Sequence, residues 1–291
     1  MHGFLSIDKP LGITSHDVVA HVRKICRIKR IGHAGTLDPG ASGVLVLAIG
    51  LTTRLIEYVQ DDTRKTYRAV ISLGSATDSD DADGAVIATQ AIPAITEATL
   101  TPILAQFVGD IMQVPPKVSA LHVDGQRMYD LARKGIAPEL PARPVHIYSI
   151  SLRAWDETSL TIDVTCGKGT YIRSLARDIG SALGTVAHLS ALRRTAVGGF
   201  TVSESVSLDQ LRVDGIGPWL HPNAIALLEW PVHRASEHEQ ALLRNGMPIA
   251  ASHSDGTRVA IVDREGELLA TAIQRDAHLY PNKVFRWSET S

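Results

Sequence analysis

Cysteine is scarce: the chain of 291 residues has two, Cys26 and Cys166. Two thiols cannot build a disulfide framework, nor close a four-ligand zinc site by themselves. Aromatic residues make up only 5%. No apolar run approaches the ~18–20 residues that span a bilayer. The longest, Val44–Leu51, is interrupted by a glycine. The opening Met1-His2-Gly3-Phe4 has neither the basic segment nor the apolar stretch of a signal peptide. The twelve histidines include no H-E-x-x-H pair, which argues against a catalytic zinc. A cytoplasmic protein with no membrane contact, no metal and no cofactor is expected. Hydrophobic residues at 44% and charged residues at 21% describe an ordinary globular chain. Its length fits two domains, at ~100–200 residues each.

Net charge is −2, so the overall balance names no partner, but the distribution does. From Val18 to Leu37 there is no acid, while Arg23, Lys24, Arg27, Lys29 and Arg30 gather with His21 and His33. Such a patch is either a solvated helix face or an electrostatic footprint for phosphates. Acids gather elsewhere, at Asp78, Asp80, Asp81 and Asp83. That stretch resembles the start of a calcium loop, yet Ser79 holds the first ligand position and Gln90 the twelfth, a poor calcium set. It reads as a polar, flexible loop.

Periodicity places the elements. Phe4–Pro10 reads as a strand stopped by Pro10 and Gly12. Thr14 and Asp17 offer a capping box, and Val18, Val19, Val22, Ile25 and Cys26 follow at helical spacing. Gly43–Ile49 is a short apolar run, as in a strand buried on both faces. Helices are predicted over Thr53–Val59, over Thr96–Phe107 despite Pro102, within Val118–Gly135, and from Ile172 to Leu183. Alternation predicts half-buried strands at Tyr67–Leu73 and Leu160–Val164. After Trp230-Pro231, strands are predicted at Thr257–Val262, Leu268–Ile273 and Val284–Trp287, a β-rich module of roughly sixty residues and of marginal size alone.

Three segments could carry chemistry. Gly32–Gly43 packs four glycines and Pro39 before the apolar strand, a rigidly shaped loop. It nearly matches G-x4-G-K-S/T, but Ala41 stands where the phosphate-binding lysine belongs. What remains is Asp38 between Leu37 and Pro39: a nucleophile, a base, or a turn cap. In Lys65-Thr66-Tyr67-Arg68-Ala69 an aromatic lies between two cations. That suits a stacked base with phosphates beside it, or an ordinary strand tyrosine. Gly167–Arg173 lies where a strand hands over to a helix. A cation at the positive end of a helix dipole, such as Arg173, calls for a carboxylate partner, unless it is a surface arginine.

Taken together, these segments resemble the TruB-type tRNA pseudouridine synthases. Gly3–Pro10 is similar to that family's opening motif, Gly32–Gly43 to its G-x-L-D-P loop, and Lys65–Ala69 to its K-x-Y-x-A motif. Gly167–Arg173 is similar to its K-G-T-Y-I-R motif, and Leu192-Arg193-Arg194-Thr195 to its L-R-R segment. The match runs in order from residue 3 to about residue 200, with a stretch near 115–145 resembling the RNA-gripping thumb.

The resemblance implies isomerisation of uridine to pseudouridine at position 55 in the T-loop of tRNA, without cofactor or metal. It makes Asp38 the catalytic aspartate, held as a carboxylate by Arg173. Tyr67 stacks on the target base and has a possible proton-transfer role. Tyr171 and Leu192 line the pocket, and Lys65 joins the substrate-binding set. His33 enters the T-loop, while Lys9 and Pro10 shape the pocket floor. The implied fold is α/β (α+β). A mixed, largely antiparallel sheet forms a catalytic domain over residues 1–229, followed by a small β-rich, PUA-like RNA-binding domain over 230–291. A monomer acting on the T-arm is expected. Two rivals remain: a non-catalytic tRNA-binding or chaperone protein, and a guide-RNA-dependent synthase of the same family. The first has no use for a carboxylate facing phosphates. The second carries extra terminal segments of which this chain has essentially none.

Overall fold

The computed structural model describes residues 1–117, 122–123, 126–127, 140–221 and 230–285. Its strands are β1 (Gly3–Lys9), β2 (Ile31–His33), β3 (Ala41–Ile49), β4 (Lys65–Leu73), β5 (Ser75–Thr77), β6 (Val86–Thr89), β7 (Gly109–Gln113), β8 (His122–Val123), β9 (Gln126–Arg127), β10 (Arg143–Trp155), β11 (Ser159–Cys166), β12 (Ala187–Val197), β13 (Phe200–Thr201), β14 (Leu220–His221), β15 (Val232–Arg234), β16 (Ile249–Ala250), β17 (Arg258–Val262), β18 (Leu268–Arg275) and β19 (His278–Val284). The helices are α1 (Ser15–Cys26), α2 (Ile56–Asp62), α3 (Glu97–Ala105), α4 (Ile172–Ala182), α5 (Leu208–Asp214) and α6 (Glu237–Arg244).

Among the described residues the large sheet runs β14-β1-β3-β12-β4-β11-β10-β7, with β2 on β3 and β13 on β12. Its pairs are antiparallel except β12 with β3. The expected mixed, largely antiparallel α/β architecture is therefore observed. β3 sits deep in the sheet, and every residue from Gly43 to Ile49 is buried, which accounts for its unbroken apolar run. α1 lays Val18, Val19 and Val22 on Leu5, Ile7, Leu45 and Leu47. α4 lays Leu175, Ala176 and Ile179 on Ala69, Ile71, Ile162 and Val164. The Thr14–Asp17 capping box is present at the start of α1.

A second sheet runs β15-β17-β18-β19-β16. One face packs on its own core of Leu243, Val259, Ile261, Ala272 and Leu279. The other gives Ala260, Val262 and Leu268 to a cluster shared with Leu55, Tyr58 and Val59 of the preceding residues, which Phe285 also joins. Asn282 donates to the Tyr58 hydroxyl at 3.2 Å. The module is thus joined to the preceding residues through a shared apolar core.

Several boundaries differ from the expectations. Of the strand expected at Val284–Trp287, residues 286–287 lie outside the described residues, and the strand that is seen, His278–Val284, meets the expectation only at Val284. The hairpin reverses at Asp276, whose φ is +49°, and Pro281 and Asn282 lie inside the strand rather than in a turn. The Thr53–Val59 helix is a 3-10 turn over Gly50–Leu55 running into α2. The helix expected within Val118–Gly135 falls largely outside the described residues; the described ones there, 122–123 and 126–127, form a short antiparallel pair, β8 with β9. Most of the thumb-like stretch near 115–145 lies outside them as well.

Candidate active site

The loop bearing Asp38 is held from two sides. Ser15, the first residue of α1, donates its hydroxyl to the Leu37 carbonyl at 3.0 Å and accepts from the Leu37 amide at 2.9 Å. From the sheet side, Arg194 donates to the carbonyls of Val44 at 2.7 Å, Gly35 at 3.2 Å and Thr36 at 3.4 Å. Leu37 is buried, anchoring a neighbour whose carboxylate keeps a side-chain exposure of 52%. Gly43 makes this geometry possible. Its φ is +103°, and a Cβ there would lie 2.1 Å from the Arg194 carbonyl, so only glycine lets β12 run this close to β3.

Arg173 meets Asp38 at 3.1 Å. The guanidinium is buried and also reaches Asp81 at 3.2 Å and the Ser79 carbonyl at 3.2 Å. A buried guanidinium needs such acceptors, and here three groups supply them. One turn along α4, Arg177 binds Asp80 at 2.7 Å. Burial nevertheless pushes the Asp80 carboxyl above its ordinary range, with Arg177 opposing. The segment read as a flexible loop is therefore tied into the site. Leu189 donates its amide to the Asp80 carbonyl at 3.0 Å, and Thr77 its hydroxyl to the Asp81 carbonyl at 2.6 Å. Sequence reasoning missed Asp80 and Asp81. The available signal was charge complementarity: two acids at i, i+1 and two arginines at i, i+4 on one helix face.

A small cavity of about 90 Å³ is lined by Asp38, Asp81, Asp83, Arg173 and Leu192. A larger groove of about 940 Å³ lies at the far end of β4, near Gln90 and Trp155. It holds none of these paired charges. Tyr67 lies opposite Arg194 in the β4–β12 register. Its residue is half-buried, but its hydroxyl is desolvated. Burial raises its pKa, while the Arg194 charge and hydrogen bond oppose that rise. His33 stands edge-to-face with His16 at 5.2 Å, and burial, then the charges of His16 and Arg194, lower its pKa. Tyr171 caps the start of α4, two residues before Arg173. The two cavity residues Asp38 and Arg173 are thus gathered with Leu192, while Tyr67, Tyr171 and His33 sit on the surrounding strands and turns.

The cations around Tyr67 differ from the expectation. Arg68 points to the opposite face of the sheet and pairs with Asp163 at 2.8 Å, because strand neighbours alternate. Lys65 is buried and donates to the carbonyls of Gln60 and Thr63. Both cations are thus committed to partners within the chain. Lys9 is likewise buried, donating to Pro10 at 2.9 Å and Ile13 at 2.8 Å. Pro10 itself is exposed. Among the described residues no cluster of ligating side chains is arranged for a metal ion, and no helix is long and apolar enough to cross a membrane.

Lys65 provides a pH test. Burial, reinforced by Arg194, lowers its pKa from 10.5 to about 8. Between those values the unfolded chain holds a proton that the folded chain has released, so this residue's contribution to stability rises with pH across that window. Wild type is expected to gain about 2 kcal/mol relative to Lys65→Met between about pH 7.5 and pH 10. Urea midpoints of both proteins at each pH measure the gain. A stability difference independent of pH would refute the assignment.

Comparison with known proteins places this geometry. Residues 23–172 match the TruB family pseudouridylate synthase N-terminal domain, and residues 173–214 match the tRNA pseudouridylate synthase B C-terminal domain. Both matches end before the β-rich module. The chain is 42% identical over 290 residues to the tRNA pseudouridine synthase B of Synechococcus sp. (strain CC9311), covering 97% of each. It is 41% identical over 303 residues to that of Moorella thermoacetica, covering 98% of this chain and 99% of the relative. Among solved structures, a Cbf5-Nop10-Gar1 complex matches with a TM-score of 0.77 at 27% identity, over 98% of this chain and 85% of that one. An H/ACA RNP bound to a substrate RNA containing 2'-deoxyuridine matches with a TM-score of 0.76 at 26% identity, over 98% and 85%. With a buried arginine aimed at a loop carboxylate, and with matches that span the sheet carrying both, the chain belongs to the TruB family of pseudouridylate synthases.

Proposed function

We propose that the chain isomerises uridine to pseudouridine at position 55 in the T-loop of tRNA, with Asp38 as the essential carboxylate. The observation that carries this reading is the Asp38–Arg173 pair at 3.1 Å, with Leu192 lining the same cavity. A target uridine is hidden inside a folded RNA and must leave the stack, at a cost of a few kcal/mol. Tyr67 offers a ring for the extruded base, and His33 a side chain to enter the T-loop in its place. Breaking the glycosidic bond leaves the electron pair on the base and develops positive charge on the sugar, which a placed carboxylate stabilises or traps. Arg173 keeps that carboxylate aimed. The detached base rotates and bonds to the sugar through C5; the proton that leaves C5 is balanced by one gained at N1, so no atoms are gained or lost overall.

The test is incubation of the protein alone with an unmodified tRNA transcript, followed by site-resolved detection of pseudouridine. Conversion at position 55 without added RNA supports the reading. Conversion only with an added guide RNA would favour the guided alternative, and tight binding without conversion the non-catalytic one.

The basic helix supplies the electrostatic grip in this reading. Arg23 donates to the Ile31 carbonyl at 2.8 Å and Arg30 to the Thr53 hydroxyl at 2.8 Å, so both are partly committed to the fold. Lys24, Arg27 and Lys29 are exposed and stand ready for phosphates. Neutralising Lys24 and Arg27 together should flatten the log–log salt dependence of tRNA binding by roughly one unit per lost contact. An unchanged slope would make this patch a solvated face. The β-rich module, PUA-like in this reading, adds a second grip away from the T-loop, on a protein acting as a monomer.

A further inference from the structure

One arginine near the site has donors that meet no acceptor among the described residues. Arg143 opens β10 and lies opposite Gln113 of β7 in register, so the two share a face. Gln113 is buried and holds Tyr171 by both backbone groups, accepting from its amide at 2.8 Å and donating to its carbonyl at 3.1 Å. The Arg143 guanidinium stacks over the Tyr171 ring at 5.5 Å. Its Nε and Nη2 are buried, and it is these that lack an acceptor. It has no carboxylate partner among the described residues either, whereas Arg173, Arg177, Arg193 and Arg194 all do or spend their donors on carbonyls. Two buried, charged donors left unpaired are costly, and folded proteins keep such groups where a partner arrives.

We infer that Arg143 is a substrate-contacting residue whose guanidinium takes a phosphate of the RNA strand beside the target nucleotide. Three features carry it. The ring under the guanidinium belongs to Tyr171, which caps α4 two residues before Arg173. A planar fork of N–H groups matches two phosphate oxygens, which a single uracil carbonyl does not. Stacking on Tyr171 fixes the plane of the fork before RNA arrives, so little freedom is lost on binding. The cations flanking Tyr67 in the sequence, Lys65 and Arg68, are spent elsewhere. Arg143 thus takes the role that those two do not.

The inference rests on the tRNA reading, and the experiment separates the two. T-arm stem-loops are made with a single neutral methylphosphonate at each linkage flanking the target uridine. Affinity and single-turnover conversion are measured for wild type, Arg143→Gln and Arg143→Lys. In wild type one linkage should raise Kd about tenfold, the loss of one charge-assisted contact. Arg143→Gln should bind unmodified RNA about tenfold more weakly and be indifferent to that same linkage. Arg143→Lys keeps the charge without the fork, so it should fall between and retain some sensitivity. Arg143→Gln that responds to every linkage as wild type does overturns the inference, whether or not its affinity has fallen. If Arg143→Gln shows no cooperative melt, Arg143→Lys decides. In that protein an undiminished sensitivity at the linkage overturns the inference, and a diminished one upholds it. Failure of the wild type to convert the unmodified stem-loop would overturn the tRNA reading and this inference with it.

Discussion

Asp38→Asn is expected to lose turnover by at least about a thousandfold, the scale seen when a charge-stabilising or nucleophilic group is removed. Affinity for tRNA should stay within a small factor. The structure explains why the fold should tolerate the change. Arg173 keeps Asp81 and the Ser79 carbonyl as acceptors, so the buried guanidinium is not stranded. The loop keeps its ties to Ser15 and Arg194, none of which uses the carboxylate. Single-turnover conversion at saturating RNA, read at the target position, gives the rate. Pseudouridine formation at more than a few per cent of the wild-type rate would remove Asp38 from the chemistry.

Deleting everything after Trp230 is expected to destabilise the remaining protein severely. Read from sequence alone, loss of the module should raise KM for whole tRNA and spare the chemistry, provided the cut leaves a chain that still melts cooperatively. The shared cluster changes that expectation. Truncation strips Ala260, Val262, Leu268 and Phe285 from Leu55, Tyr58 and Val59. At ~1.5–3 kcal/mol per large buried side chain, the loss is roughly 5 kcal/mol or more, comparable to the whole stability of many domains. It also removes Arg258, which pairs with Asp62, and Lys283, which pairs with Glu57. A melting midpoint lowered by more than about 10 °C, or no cooperative melt, is the expected result. A truncated chain that melts within a few degrees of the full-length protein would show that the interface contributes little.

Much of the site is legible in the sequence because its chemistry lies in short, contiguous motifs. Asp38 stands out because glycines and Pro39 make its loop rigid, and Arg173 because a cation at a helix start calls for a partner. What stays hidden is long-range. Nothing local shows that Asp80 and Asp81 fold back onto α4, since their partners are about ninety residues away in the chain. Lys65 and Arg68 mislead for a different reason. Arg68 is sent to the opposite face of the strand from Tyr67, and Lys65, on the same face, is buried with its ammonium turned to the Gln60 and Thr63 carbonyls. Alternation and apolar runs give single strands and helices, while the fold class follows from the resemblance of the ordered motifs to a known family. The end of the module is misplaced by sequence reasoning because Pro281-Asn282, a turn signal, sits inside a strand whose actual reversal is at Asp276.

The strand order has a consequence for how the protein is made. β3 and β4 are consecutive along the chain apart from a helical turn and α2, yet in the sheet β12 lies between them. From the end of β4 at Leu73 to the start of β12 at Ala187, a ribosome working at ~5–20 residues per second needs on the order of ten seconds. Throughout that interval the facing edges of β3 and β4 lack the strand that will join them. Asp38 and Tyr67 have already emerged, but Arg194 has not, and Arg173 comes only near its end. A nascent chain is therefore catalytically silent while it carries two open strand edges, the kind of surface that pairs with other chains. Synthesis of β12 closes the sheet and delivers Arg194 to the Asp38 loop in the same step.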